Sequence, residues 1–393
     1  MKKKIICAVF VIAAVAGLMA VFSRTDERDR SDTKGKGQKT LCDETEKIAG
    51  SYREIYETAQ KEGNLNDLKT VQKIVEKLAG DGHTAVDFDG ELNMEHPEKI
   101  EKLCEKGRKK ESGEAVILAV MDNGGLARYD LQTENGELYV TNTVVSWKDG
   151  EPKAQVAEEY RAHSWNYTEK GWLFFERYQP EGYDGDSGYT AIRVLPIDET
   201  CREYNRKYIK PVGYGLNQLF ITDWSEEDYG SLDFYDLYEI FYEMKYGKQT
   251  GYDLAYEGQI YNIPEEQIQQ VFTAFLSVEP EELRERMTFD EQSKTYQYRP
   301  RGMFDCGFTP YTPIPEVVDY QKNQDGTLTL TVEAVWPEEN TEKALSSQVT
   351  VRPLENGGFQ YVSNHMIPSE DDIDPVWYVE RLTDEEWEDV LEI

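Results

Sequence analysis

Few residues in this 393-residue chain have the type and spacing to do chemistry. Asp184-Gly185-Asp186-Ser187-Gly188 alternates oxygen ligands along a loop, as a calcium site would, which makes Asp184 and Asp186 the metal candidates. The stretch lacks the further ligands and the glutamate of an EF-hand loop, and a plain glycine-rich turn is the simpler reading. The four histidines, His83, His96, His163 and His365, never stand four apart and never neighbour a cysteine pair at zinc spacing. No G-x-S-x-G nucleophile elbow occurs. Asp305-Cys306-Gly307 sets a thiol in a tight loop, which reads first as a structural loop or half of a disulfide.

Paired carboxylates could serve a glycosidase, but with 76 Asp and Glu residues such pairs are expected everywhere. Trp165, Trp172 and Tyr178, and again Trp224 and Tyr229, could stack on sugars, although aromatics at such positions more often build sheets and cores. No phosphate-cradling glycine loop or dinucleotide fold signature is present, so no cofactor is expected. A net charge of −33 repels nucleic acid and anionic lipid headgroups, and suits a cation, a glycan or a basic protein as partner.

The elements that must position these residues begin with a targeting segment. Lys2, Lys3 and Lys4 precede Ile5 to Phe22, eighteen residues without a charge. As a helix this run spans roughly 27 Å, close to the hydrocarbon thickness of a bilayer. The lysines stay cytoplasmic and the rest is translocated. Cleavage at Ala14-Val15-Ala16 would shorten the apolar run, and cleavage at Val21-Phe22-Ser23 would set Phe22 beside the cut. An uncleaved single-pass anchor over residues 1–23, with the body outside the cytoplasm, is therefore preferred over secretion. Neither Cys7 nor Cys42 stands where a lipobox cysteine would. Without the three lysines before the apolar run, the charge of the exported body goes from −33 to −36.

Residues 24–42 read as a disordered tether, polar and without apolar period. Residues 43–200 read as a helical region followed by an antiparallel meander. Ile48, Tyr52, Ile55 and Tyr56 share a helix face, as do Leu68, Val71, Ile74, Val75 and Leu78, and then Ile100, Leu103 and Cys104. Lys106 to Lys110 suit a helix C-terminus. Strands are expected over Glu114–Met121, Leu126–Gln132, Glu137–Trp147, Ala154–Trp165, Gly171–Tyr178 and Tyr189–Ile197, forming one curved sheet.

Residues 201–393 repeat the order of helices, then strands. Ser231 or Asp233 can cap a helix to Tyr246 with Gly247 as stop, Pro264 opens another, and Pro280–Met287 is a short third. Strands follow over Thr295–Arg299, Val317–Gln321, Thr327–Trp336, Ser347–Arg352 and Gly358–Ser363. The last stretch, Pro375 to Ile393, reads as a strand and an acidic helix that dock on the body or serve as a partner-binding tail. The fold class is α+β, and the second unit suggests a cystatin-like or NTF2-like layer. Cys42, Cys104, Cys201 and Cys306 allow two disulfides, Cys42 with Cys104 and Cys201 with Cys306 by proximity; free buried thiols are the other reading.

The C-terminal half carries Tyr252-Asp253-Leu254-Ala255-Tyr256-Glu257-Gly258, Ile263-Pro264-Glu265-Glu266, Asp305-Cys306-Gly307, Pro315-Glu316-Val317, Asp325-Gly326-Thr327-Leu328-Thr329-Leu330-Thr331-Val332 and Gly357-Gly358-Phe359-Gln360-Tyr361-Val362. With these motifs, over roughly residues 200–367, it resembles a family of uncharacterised exported, membrane-anchored proteins of gut clostridia. The resemblance implies an extracytoplasmic location and brings no catalytic residue. Three functions remain in contention: a non-catalytic cell-surface binding or interaction protein, a carbohydrate-active hydrolase using paired carboxylates, and a structural envelope-assembly protein.

Overall fold

The computed structural model describes residues 31–180, 182–183, 188–252, 258–302, 304–305 and 312–391. The expected membrane segment over 1–23, the metal candidates Asp184 and Asp186, and Cys306 lie outside the described residues. Among the described residues no helix is long and apolar enough to cross a membrane. The chain divides into two compact units, Met1–Pro196 and Ile197–Ile393.

In the first unit, α1 (Ser31–Gly50), α2 (Arg53–Glu62) and α3 (Leu68–Gly80) precede β1 (Ala85–Asp87) and α4 (Glu98–Arg108). Then come β2 (Gly113–Val120), β3 (Leu126–Glu134), β4 (Glu137–Lys148) and β5 (Glu151–Arg161). A second run follows: β6 (Ser164–Tyr167), β7 (Trp172–Glu176) and β8 (Tyr189–Arg193). The expected tether to residue 42 meets a helix from Ser31 onward. The C-terminal end of that helix carries the apolar face, with Ala49 fully buried, and the helix extends upstream through residues that have no apolar period of their own.

The five strands β1 to β5 make one sheet in chain order, and the sheet is not purely antiparallel. Strand β1 runs parallel to β2, with Ala85 opposite Leu118, because helix α4 lies between them and carries the chain back. The period of two along β2 sorts its residues onto two faces. Leu118 and Val120 pack with Ala49 of α1, Tyr52 just before α2, Tyr56 of α2, and Ile74 and Leu78 of α3. Ile117 and Ala119 pack with Ile100 and Leu103 of α4 and with Leu173 and Phe175 of the smaller sheet.

The single curved sheet expected here is two sheets. The break falls at Ala162 and His163: the Ala162 N–H still donates to Leu138 of β4, whereas the His163 N–H donates to Glu176 of β7. The chain changes partner between adjacent residues, and β6-β7-β8 forms a separate antiparallel sheet. The open edge of β5 is covered by α1, where Glu46 Oε1 accepts the Ala154 N–H at 3.0 Å.

In the second unit, α5 (Glu199–Tyr204) runs into a π-turn (Asn205–Ile209), followed by β9 (Trp224–Ser225), α6 (Phe234–Tyr246), β10 (Tyr261–Pro264), α7 (Glu265–Thr273) and α8 (Pro280–Arg286). Next are β11 (Phe289–Asp290), β12 (Thr295–Tyr298), β13 (Ile314–Lys322), β14 (Leu328–Val335), β15 (Ser346–Pro353), β16 (Phe359–Met366) and α9 (Asp384–Leu391). Strands β13 to β16 form an antiparallel meander with β9 added at the β16 edge, and β10, β12 and β11 form a small antiparallel sheet. Helices α6 and α7 lie on the meander: Phe241 of α6 meets Phe272 of α7 and Tyr361 of β16. The final segment docks on this unit without adding a strand. Trp377 is 1% exposed against Trp336 and Tyr214, and Trp387 of α9 is equally buried.

Cys42, Cys104 and Cys201 carry free thiols. The expected Cys42–Cys104 pair does not form because α1 and α4 lie on opposite faces of the five-stranded sheet, where Cys104 packs beside Ile100 and Leu103. Cys201 sits in the core of the second unit and is likewise unpaired. Burial pushes the Cys104 thiol up to about 12 and the Cys201 thiol up to about 11. A thiol reagent at neutral pH should therefore label half-buried Cys42 first and reach Cys104 and Cys201 only on unfolding. An intact mass lower by two hydrogens with none of the three reactive would sink the free-thiol description.

Candidate functional site

Among the described residues of the second unit, a dense set of ionisable groups grows from helix α6. Asp233 is its N-cap, accepting from the Tyr235 and Asp236 N–H groups at 2.8 and 3.0 Å. Gly247, with φ +63, ends the helix in the left-handed conformation that suits a residue without Cβ. Asp233, Asp236 and Glu239 recur every three residues, which stacks three carboxylates along one side of the helix.

Two arginines meet them. The Arg301 guanidinium forks onto Asp236, Nε to Oδ1 at 2.8 Å and Nη2 to Oδ2 at 2.7 Å, with both side chains almost wholly buried. Arg381, from the docked C-terminal segment, donates Nε to the same Asp236 Oδ1 at 2.7 Å and Nη2 to Glu239 Oε1 at 2.9 Å. Its remaining nitrogen donates to the Arg299 carbonyl at 2.8 Å. Glu239 Oε1 also accepts the Tyr298 hydroxyl at 2.7 Å. Asp305, 1% exposed, accepts the Gly302 N–H on its side chain, and its carbonyl accepts from Arg301.

The electrostatics follow from this geometry. Burial works against the Arg381 charge, but Asp236, Glu239 and Asp233 outweigh it and raise its pKa. Arg301 is raised in the same way against burial, through its bond to Asp236. Asp233 is raised by burial first and then by the Asp236 charge. Acid–base catalysis by two carboxylates needs one group within reach of a substrate. Here both oxygens of Asp236 face guanidinium, Glu239 Oε1 is shared by Arg381 and Tyr298, and Asp233 caps the helix. The arrangement is a clasp that ties the C-terminal segment to α6 and to residues 299–305.

Other sequence candidates fall apart in space or into the core. His96 Nε2 lies 3.1 Å from the Ala79 carbonyl, His163 rests beside the Tyr178 ring, and His365 pairs with Asp223 on an exposed edge. Among the described residues no group of three or more His, Cys, Asp or Glu side chains could hold a metal ion. Trp165 Nε1 donates to the Gly136 carbonyl at 3.0 Å, and Trp224 stacks on Tyr229 and donates to the Leu219 carbonyl. The basic run at the end of α4 is partly spent locally, Lys109 on Glu105 and Arg108 on the Tyr167 carbonyl.

The clasp spans most of the second unit, and one family model covers all of its members. The chain belongs to a family of unknown function (DUF6070). The match runs over residues 38–381, from within α1 to Arg381 of the clasp. No curated protein and no solved structure matches the chain. This DUF6070 chain adds α9 beyond the matched span. Helix α9 opens on a capping box: Thr383 Oγ1 accepts the Glu386 N–H at 3.3 Å, and Glu386 Oε2 accepts the Thr383 N–H at 2.8 Å.

Two outcomes test the clasp and its neighbour. Arg381→Ala leaves the buried Asp236 carboxylate with Arg301 as its one guanidinium among the described contacts and should cost about 3–5 kcal/mol in denaturant unfolding. A loss within about 0.5 kcal/mol would class Arg381 with ordinary surface residues. Glu386 is held below the usual glutamate range by the Thr383 N–H first and the Thr383 hydroxyl second. A depressed carboxylate lends support that is full above the ordinary value and is lost as pH falls through the lowered one. The Thr383 amide, followed by NMR during acid titration, should therefore move with a midpoint below that of an ordinary exposed glutamate; a midpoint at or above it contradicts the box.

Proposed function

We propose that this chain is a non-catalytic binding or interaction protein held outside the cytoplasm by its first residues. The observation that carries the non-catalytic part is the clasp. The carboxylates α6 sets in a row are spent on Arg301, Arg381 and the helix N-terminus. A hydrolase of the two-carboxylate kind needs facing carboxyls with room between them for a sugar or water. Location rests on the sequence: three lysines, then eighteen uncharged residues, then a body of strongly negative charge. Helices α6 and α7 on the β13–β16 meander support a cystatin-like or NTF2-like arrangement for the second unit. That likeness carries no activity by itself.

Protease applied to intact cells should cut the body and spare cytoplasmic markers; a body protected until lysis overturns the location. The full chain should melt higher with at least one of four ligand sets: peptidoglycan fragments, neutral oligosaccharides, divalent cations or a cationic peptide. A ligand at a hundred times its Kd adds about 2.7 kcal/mol, a shift of about 2–4 °C for a body of this size. Silence across all four, or turnover of a glycan, overturns the binding reading.

A further inference from the structure

We propose that a shallow hollow on the first unit binds a neutral, hydroxyl-rich saccharide, which names a ligand class for the binding function above and rests on it. The hollow holds about 330 Å³ and is lined by Gln60, Gly63, Leu65, Asn66, Asp122 and Asn123. That volume falls at the lower end of small-molecule sites, about 300–1,000 Å³, and suits one or two sugar rings. It forms where the C-terminal end of α2 meets the turn between β2 and β3.

The backbone there is shaped by glycine. Gly63 at φ +72 ends α2, and Gly124 at φ +75 turns the hairpin. A Cβ on Gly124 would stand 2.7 Å from the Tyr56 ring and 3.1 Å from Leu65, so the turn lies directly against those side chains. Tyr56 in turn stacks on Trp147 with centroids 4.1 Å apart, and the Tyr52 hydroxyl and Trp147 Nε1 both donate to the Gly124 carbonyl. The rim therefore stands on a fixed aromatic base.

The lining chemistry selects the ligand. Asn123 Oδ1 accepts the Gly125 N–H at 2.8 Å, which leaves its NH₂ as donor. Gln60 Nε2 donates to the Tyr56 hydroxyl at 3.2 Å, which leaves its carbonyl oxygen as acceptor. Sugar hydroxyls both donate and accept, as this set of amides requires. Leu65 offers an apolar contact for the C–H face of a ring. No Lys or Arg lines the hollow, which disfavours anions, and Asp122 is its one charged group, which is too few for a cation site.

The test is a titration of the full chain in nanodiscs with N-acetylchitotetraose, followed by NMR, with calcium chloride and a cationic peptide as parallel arms. Saccharide should move the amides of Gln60, Asn66 and Asn123. Asn123→Asp, which keeps the acceptor for the Gly125 N–H and removes the donor, and Asn66→Ala should each weaken it by about tenfold or more. Equal affinity in wild type and both variants overturns the hollow and leaves the binding function standing. Binding of calcium or peptide without saccharide also overturns it. Silence in every arm overturns the hollow.

Discussion

The second unit depends on how Asp236 is neutralised. A carboxylate 1% exposed on its side chain is costly to bury alone, and two guanidiniums share it, one from residues 299–305 and one from the C-terminal segment. Each arginine comes from a stretch without regular structure. Neither could be held there by backbone ladders, so the ion pairs fix where those stretches run. Trp377 packing on Trp336 and Tyr214, and Trp387 meeting Phe304 and the Arg299 guanidinium, add apolar contact along the same path. The segment is thus held by charge at Arg381 and by aromatic burial on either side of it.

The first unit solves a different problem. Its five-stranded sheet is covered on both faces, by α1–α3 on one and by α4 with the small sheet on the other. Buried on both sides, β2 shows a continuous apolar end, Ile117 to Val120, where a half-solvated strand would alternate. The parallel pairing of β1 belongs to the same logic, since a helix crossing the face of a sheet returns the chain in its original direction.

These contrasts explain what was legible in the sequence. Helix α6 was readable to the residue at its end, Gly247, and to two candidate caps at its start, Ser231 or Asp233, of which Asp233 takes the role, because capping and termination are local chemistry. The three-residue spacing of Asp233, Asp236 and Glu239 was present to be read as well. Their partners were not, since Arg301 and Arg381 stand 65 and 145 residues from Asp236 and nothing local announces them. The split of the meander was hidden for a similar reason. Ala162 and His163 continue the strand pattern, and only the choice of β7 over β4 as partner divides the sheets. The free thiols follow from which face each helix takes, a tertiary fact that cysteine spacing does not encode.

Helix α1 changes what the proposed anchor implies. Between Phe22 and Ser31 the chain has eight residues, able to extend at most about 30 Å. A tether running to residue 42 would let the body stand far from a bilayer; on the proposed anchoring, eight residues would keep the start of α1 within a few Debye lengths of about 8 Å each. Repulsion from anionic headgroups would then act on the near face of the acidic body and be screened for the rest. Any pull transmitted through the anchor arrives first at α1. That helix covers the β5 edge through Glu46 and Ala154, and it adds Glu44 to the pair that buried Arg128 of β3 makes with half-buried Asp130. On the proposed anchoring, the first described element that such a pull would meet is therefore a helix already bonded to β3 and β5 of the central sheet.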